Sequence, residues 1–89
     1  MKIREIKKYV KERDEMLLKR SVSELRKFVK EHVIMFSPEY VENLEKASDE
    51  VVEITLHKMI ANCTNLPNDF VKESIVWLLE RGYSPIILQ

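Results

Sequence analysis

The chain has 89 residues, of which 45% are apolar and 34% are charged, and 15 basic and 15 acidic side chains give a formal net charge of zero. This length favours a single domain, 1–89, with one modest core, and the apolar content together with zero net charge excludes a disordered chain. The single cysteine, Cys63, excludes a disulfide scaffold. No uncharged apolar run approaches the roughly 18 residues that a membrane span requires.

Charge is distributed unevenly along the chain. Residues 1–30 contain 11 basic and 5 acidic side chains, a net charge of +6, whereas residues 31–89 carry a net charge of −6. Such asymmetry is typical of a basic segment that binds an acidic or polyanionic partner, although the basic segment can equally fold against the acidic remainder. The charged opening of residues 1–5 does not resemble a signal peptide, so we expect a cytoplasmic protein. Abundant Lys and Glu with a single Gln favour a thermophilic origin.

The basic N-terminal segment, residues 1–36, contains no Gly or Pro and is predicted to be helical. Its apolar residues form two stripes at helical spacing, one beginning at Ile3 and one beginning at Leu18, and the second is offset from the first. Ser21 followed by Glu24 has the pattern of a capping box, in which each side chain accepts a hydrogen bond from a free backbone N–H. We therefore predict two helices, 3–19 and 22–34, in preference to one long helix.

The rest of the chain contains signals for the acidic and apolar core helices 38–63 and 68–81. Ser37-Pro38-Glu39 is a strong helix start, and Ser48-Asp49-Glu50 leaves open whether residues 38–63 form one helix or a kinked pair. Gly82 is placed where a left-handed C-cap ends the last helix. Residues 51–63 and 68–81 are predicted to be the two central helices, because each leaves little polar face.

The apolar tail at residues 82–89 is expected to dock on the bundle, pair as a short strand or bind another chain. The sequence therefore predicts an all-α fold, a small helical bundle of 3–5 helices with a short apolar C-terminal tail.

Few side chains are candidates for catalysis or metal binding. Glu53 and His57 are four residues apart and share a helix face, but they make at most half of a metal site, so a surface ion pair is predicted. Cys63 is predicted to be a buried thiol, and His32 to suit the negative end of a helix. One glycine cannot form a phosphate-binding loop. We expect no catalytic residue, no metal site and no cofactor.

The expected function is that of a small non-enzymatic accessory or adaptor protein that binds a larger protein, within machinery that handles nucleic acids. Aromatic residues dominate the energetics of protein interfaces, so exposed aromatic and apolar side chains are the candidates. A homodimer that buries the same side chains is the other outcome. The predicted partner-binding residues are Tyr9, Phe28, Tyr40, Trp77, Tyr83, Ile86, Ile87 and Leu88.

The alternative function is direct nucleic-acid binding by the basic helices at residues 2–30, since such helices can lie along phosphates. Binding to a membrane surface is not expected, because the apolar face of the first helix is short and lacks Trp and Phe. The predicted nucleic-acid-binding residues are Lys2, Arg4, Lys7, Lys8, Lys11, Lys19, Arg20, Arg26, Lys27 and Lys30.

Overall fold

The computed structural model describes residues 3–86, which form five α-helices, one 3₁₀ helix and no strand. The prediction of a small all-α bundle is therefore confirmed. No helix in this range is long and apolar enough to cross a membrane. The helices are α1 (Ile3–Leu18), α2 (Val22–Glu31), α3 (Pro38–Lys46), α4 (Asp49–Ala61) and α5 (Asn68–Glu80), with the 3₁₀ helix at Val33–Met35.

A tight turn separates α1 from α2, as the offset of the apolar stripes predicts. Arg20 in this turn has a φ of +46°, in the left-handed region that residues with a side chain rarely adopt. The Ser21 hydroxyl accepts a hydrogen bond from the Glu24 N–H at 3.4 Å and caps α2. The Glu24 carboxylate instead lies 3.5 Å from Lys19 Nζ, so Ser21 makes its half of the predicted capping box and Glu24 pairs with a lysine.

Residues 38–61 form a pair of helices, and each helix begins at a serine. The Ser37 hydroxyl accepts from the Tyr40 N–H at 3.1 Å, and Pro38 occupies the first turn of α3. The Ser48 hydroxyl accepts from the Val51 N–H at 3.3 Å and caps α4. Two short links, residues 32–37 and 47–48, therefore connect α3 to α2 and to α4 without a long loop.

The end of α5 is a Schellman motif centred on Gly82. Gly82 has a φ of +81°, its N–H donates to the Leu79 carbonyl at 3.1 Å, and the Tyr83 N–H donates to the Leu78 carbonyl at 2.9 Å. Both bonds satisfy carbonyls at the end of the helix. The turn also reverses the chain, so that Tyr83 lies back against the α4–α5 pair.

The core lies between α2 and α4. Leu25, Val52 and Ile60 are fully buried there, and burial of such side chains contributes about 1.5–3 kcal/mol each. Helix α4 also packs on α1 and α5, and α2 also packs on α1 and α3. Helix α2 is therefore the second central helix, in place of α5, which the sequence predicted. Helix α5 packs chiefly on α4, which leaves apolar side chains on its outer face exposed.

Candidate protein-binding surfaces

A groove lies where the end of α5 meets the start of α4. It brings together Trp77 and Tyr83, two of the residues that the sequence predicts to bind a partner. We call this groove the C-terminal groove. Its lining residues are Glu50, Glu53, Ile54, Trp77, Arg81 and Tyr83.

The Trp77 indole in this groove is held in place by two neighbours. It stacks on the His57 imidazole, with ring centroids 4.0 Å apart and planes 15° apart. The Arg81 guanidinium carbon lies 3.9 Å from the centroid of the Trp77 ring, and Arg81 Nη1 donates to the Trp77 carbonyl at 2.9 Å. Trp77 nevertheless remains half-buried. An aromatic side chain that is already ordered loses little conformational entropy when a partner binds.

His57 supports the groove from inside the protein. His57 Nδ1 lies 2.9 Å from the Ser74 hydroxyl, and His57 is 5% exposed. Burial, with the positive charges of Arg20 and Arg81, lowers the pKa of His57 to about 4, so the imidazole is neutral at pH 7. The prediction of a surface ion pair between Glu53 and His57 is wrong, because the imidazole turns inward against α5.

The pairing of a serine with a histidine does not create a nucleophile here. Ser74 is 0% exposed, so its hydroxyl cannot reach a substrate. The Cys63 thiol is also buried, as predicted, and donates to Asp14 Oδ1 at 3.4 Å. Within residues 3–86, no three His, Cys, Asp or Glu side chains are grouped so as to hold a metal ion.

The tail follows the C-terminal groove back along α4. The Asn62 side-chain amide donates to the Pro85 carbonyl at 2.7 Å and ties the tail to the end of α4. Ile86 is exposed beyond this bond. The three expectations for the apolar tail concern mainly residues 86–88, and they stay predictions. The predicted partner-binding residues Ile87 and Leu88 lie outside the described residues.

The other predicted aromatic residues belong to a second cluster, where α1, α2 and α3 meet. The Tyr9 ring centroid is 5.5 Å from that of Phe28 and 6.4 Å from that of Phe36, and the Phe36 ring stacks on Tyr40 at 5.3 Å. Phe28 is only 5% exposed, so the prediction that it is exposed to a partner is wrong. Its position on the face of α2 that meets α1 turns it into the core. Tyr9 and Tyr40 are half-buried.

His32 closes this aromatic cluster with polar contacts. Its ring stacks on Phe28 at 4.1 Å, Nδ1 lies 2.9 Å from the Phe28 carbonyl, and Nε2 lies 2.8 Å from Glu12 Oε2. Burial alone would lower the pKa of His32, but the hydrogen bonds to Phe28 and Glu12 together raise it above its usual value. His32 ends α2, where the sequence placed it, and binds α1 to α2.

Some of the predicted nucleic-acid-binding cations make contacts within the fold, whereas others are exposed and unpaired within residues 3–86. Arg20 donates to the Phe70 carbonyl and to Glu73. Arg26 donates to the Leu44 and Ala47 carbonyls and to Asp49, so both arginines hold the fold together. Lys8 and Lys19 each lie within 4 Å of a glutamate, whereas Lys2 lies outside the described residues. Five others are exposed and form no ion pair within residues 3–86: Arg4, Lys7, Lys11, Lys27 and Lys30.

Sequence reasoning missed four of the six lining residues of the C-terminal groove, and it missed one exposed apolar turn. Arg81 follows Trp77 by four residues, and this spacing places both on one helix face. Ile54 joins the groove only through the pairing of α4 with α5, which no local pattern reveals. Ile34, in the 3₁₀ helix, is 84% exposed. Neighbouring Val33 is 51% exposed, because α2 ends at Glu31, three residues before the predicted end at residue 34.

Comparison with known proteins adds no further assignment: no family model, no curated protein and no solved structure matches the chain.

Proposed function

We propose that this protein is a non-enzymatic adaptor that binds a larger protein through the C-terminal groove. The observation that carries the proposal is the side-by-side placement of Trp77, Arg81 and Tyr83 beside the apolar Ile54. Trp, Tyr and Arg are the residue types most enriched among those that dominate binding energy in protein interfaces.

The electrostatics of the groove favour a partner segment with both apolar and basic side chains. Glu50 and Glu53 lie at its α4 side, and both are exposed. The guanidinium of Arg81 is already engaged by the Trp77 ring and carbonyl. An apolar side chain would pack on Trp77 and Tyr83, while a lysine or arginine of the partner would pair with the two glutamates.

Direct nucleic-acid binding is the second candidate, and the exposed cations of α1 support it. Arg4, Lys7 and Lys11 are exposed and, within residues 3–86, none of them forms an ion pair. However, the groove between α1 and α2 is lined by bases and acids together, among them Lys27 and Glu15. Mixed charge weakens the attraction of a surface for phosphates, so this candidate ranks below the adaptor.

The test is affinity capture from native lysate with the tagged chain and the variant Tyr83→Ala, in nuclease-treated and untreated arms. Tyr83 is 37% exposed, so its truncation also removes buried surface, and urea unfolding of the variant checks that the bundle stays folded. The matched control is Leu18→Ala, which truncates an exposed apolar side chain outside the groove.

We expect one larger protein to be captured in stoichiometric amount in both nuclease arms, retained by Leu18→Ala and lost with Tyr83→Ala. Purified partner would then bind the wild-type chain more tightly than Tyr83→Ala by roughly tenfold or more. Capture that disappears with nuclease, and that falls when Lys7 and Lys11 are changed to Gln, would replace the adaptor with the nucleic-acid candidate.

A further inference from the structure

The first turns of α1 make few contacts with the rest of the fold. Residues 3–8 are exposed, and the first fully buried side chain of the helix is Met16. Among the residues that the structure describes, a single side-chain hydrogen bond joins residues 3–12 to another element, and it is the contact between Glu12 and His32. The position of these turns therefore depends on one polar contact and on a small apolar contact.

Tyr9 supplies most of the apolar contact. Its ring centroid lies 5.5 Å from that of Phe28, 5.6 Å from that of His32 and 6.4 Å from that of Phe36. Phe28 is 5% exposed, and Tyr9 is one of the side chains that cover it. The start of α1 thus lies over the aromatic cluster where α1, α2 and α3 meet.

Both ring nitrogens of His32 face oxygen atoms that accept hydrogen bonds. Nδ1 lies 2.9 Å from the Phe28 carbonyl oxygen, and Nε2 lies 2.8 Å from Glu12 Oε2. A neutral imidazole has one N–H group and one lone pair, so it can donate only one of these bonds, whereas an imidazolium can donate both. We call this set of contacts, from Phe28 through His32 to Glu12, the His32 bridge. Its geometry fits the protonated ring.

The charges around the His32 bridge also favour the protonated ring. Burial lowers the pKa of His32, but the hydrogen bonds to Phe28 and Glu12 and the negative charges of Glu12 and Glu31 raise it above its usual value. The groove between α1 and α2 contains more acidic than basic side chains around this ring. They are Glu12, Glu15, Glu24, Glu31, Lys19 and Lys27.

The other neighbours of the ring contribute little charge. Lys8 Nζ lies 3.9 Å from the second oxygen of Glu12, and such an exposed pair is weak. The 3₁₀ helix at Val33–Met35 contains no charged side chain. Burial raises the pKa of the Tyr9 and Tyr40 phenols, so both are neutral at pH 7. Protonation of the histidine is therefore the charge change that this region undergoes near neutral pH.

We infer that the His32 bridge is a proton-dependent contact that holds residues 3–12 over the aromatic cluster while His32 is protonated and releases them when it is neutral. When the ring gives a proton to water, one nitrogen presents a lone pair to an oxygen at 2.8 or 2.9 Å, and one hydrogen bond is lost. The charge attraction to Glu12 is lost with it. The start of α1 then opens more often and uncovers the Phe28 ring.

The direction of the pH dependence follows from the raised pKa of His32. The contact is fully formed below about pH 6.5 and is lost as the pH rises through the pKa of the folded protein. Release of α1 is therefore favoured in mildly basic solution.

The test is amide hydrogen exchange at about pH 6 and about pH 8.5, with each rate divided by its intrinsic rate at the same pH. The informative amides are those of residues 7–12, because the first four N–H groups of a helix have no acceptor within it. We expect local opening of residues 7–12 in the wild-type chain to increase by roughly three- to tenfold, the effect of one charge-assisted hydrogen bond at a partly exposed site. Amides of α4 should keep their protection, which distinguishes local opening from unfolding.

The variant Glu12→Gln tests the bridge without removing the histidine. A glutamine can accept from a ring N–H or donate to a ring lone pair, so it bonds both protonation states, and the pH dependence of residues 7–12 should largely disappear. The matched control is Glu15→Gln, which removes a carboxylate from the same groove but leaves the His32 bridge intact, so its pH dependence should remain. His32→Gln should abolish the pH dependence, although every other titrating group is retained.

Nuclear magnetic resonance of the His32 ring nitrogens reports the protonation state directly, and we expect a pKa above about 6.5. A neutral ring at about pH 6 would overturn the inference. So would equal protection of residues 7–12 at both pH values, or the same pH dependence in the wild-type chain and in Glu12→Gln. The inference is independent of the adaptor proposal, because no lining residue of the C-terminal groove lines the groove around His32.

Discussion

His57 should make the protein lose stability in mild acid. The imidazole is buried between α4 and α5, stacked on Trp77 and bonded to Ser74, and its pKa is about 4 in the folded protein. In the unfolded chain the same group has a pKa near its ordinary value of about 6.5. The folded protein therefore binds fewer protons than the unfolded chain between these two values.

The size of the effect follows from the difference between the two pKa values. A difference of about 2.5 pKa units corresponds to about 3 kcal/mol in the free energy of unfolding. The lowered pKa means that this contribution is fully present above about pH 6.5 and is lost progressively as the pH falls through about 4. A loss of this size is a substantial part of the total stability of a small domain.

The assay is urea unfolding at a series of pH values, for the wild-type chain and for His57→Gln. The glutamine keeps a hydrogen-bonding partner for Ser74 but does not titrate, so the variant should lose about 3 kcal/mol less than the wild type between pH 7 and pH 3.5. The control is His32→Gln, and this substitution should not reduce the loss of stability in acid. The raised pKa of His32 gives stability below about pH 6.5 that disappears as the pH rises through its folded pKa.

Nuclear magnetic resonance provides the direct check. The His57 ring proton signals should titrate with a midpoint near pH 4, or the protein should unfold before they do. A midpoint near 6.5 in the folded protein, or equal acid losses for the wild type and His57→Gln, would refute the assignment of a buried neutral imidazole.

Three substitutions test the contacts that shape the bundle, each by urea unfolding at pH 7. Arg26→Ala should lower the free energy of unfolding by about 2–4 kcal/mol. Arg26→Lys should recover only part of this loss, because an ammonium group cannot make the forked contacts of a guanidinium. A lysine variant as stable as the wild type would contradict this prediction. Arg20→Gly should be more stable than Arg20→Ala by about 1 kcal/mol, since glycine tolerates the positive φ; the reverse order would contradict the turn geometry. Gly82→Ala should cost about 1 kcal/mol through its backbone alone, since no atom lies within 4 Å of the added methyl group; no loss would exclude the Schellman turn.

The helix boundaries were predictable because the residues at the helix ends are of types that start or stop helices. Ser21, Ser37 and Ser48 each cap the helix that follows, and Gly82 ends α5, as their residue types indicate. Periodicity identifies the apolar face of a helix but not the partner that covers it. For this reason the central position of α2 was not predictable, and neither was the burial of Phe28.

The candidate site was predictable only in part. Trp77 and Tyr83 were predicted because aromatic residues dominate the energetics of interfaces, and the structure brings them into one groove. Arg20 and Arg26 were interpreted as free cations because their acceptors are distant in sequence. Arg20 bonds the Phe70 carbonyl at 2.8 Å, and Arg26 bonds the Leu44 carbonyl at 2.8 Å, and a backbone carbonyl leaves no mark in a sequence pattern.

The contacts of Arg26 also bear on the order in which the chain assembles. Its guanidinium bonds the carbonyls of Leu44 and Ala47 and the carboxylate of Asp49, at 2.8, 2.7 and 2.9 Å, all around the joint between α3 and α4. Because these acceptors converge only when both α3 and α4 are formed, we expect the Arg26 contacts to form late in folding. Loss of Arg26 should therefore accelerate unfolding and leave the folding rate almost unchanged, the kinetic pattern of an interaction that forms after the barrier.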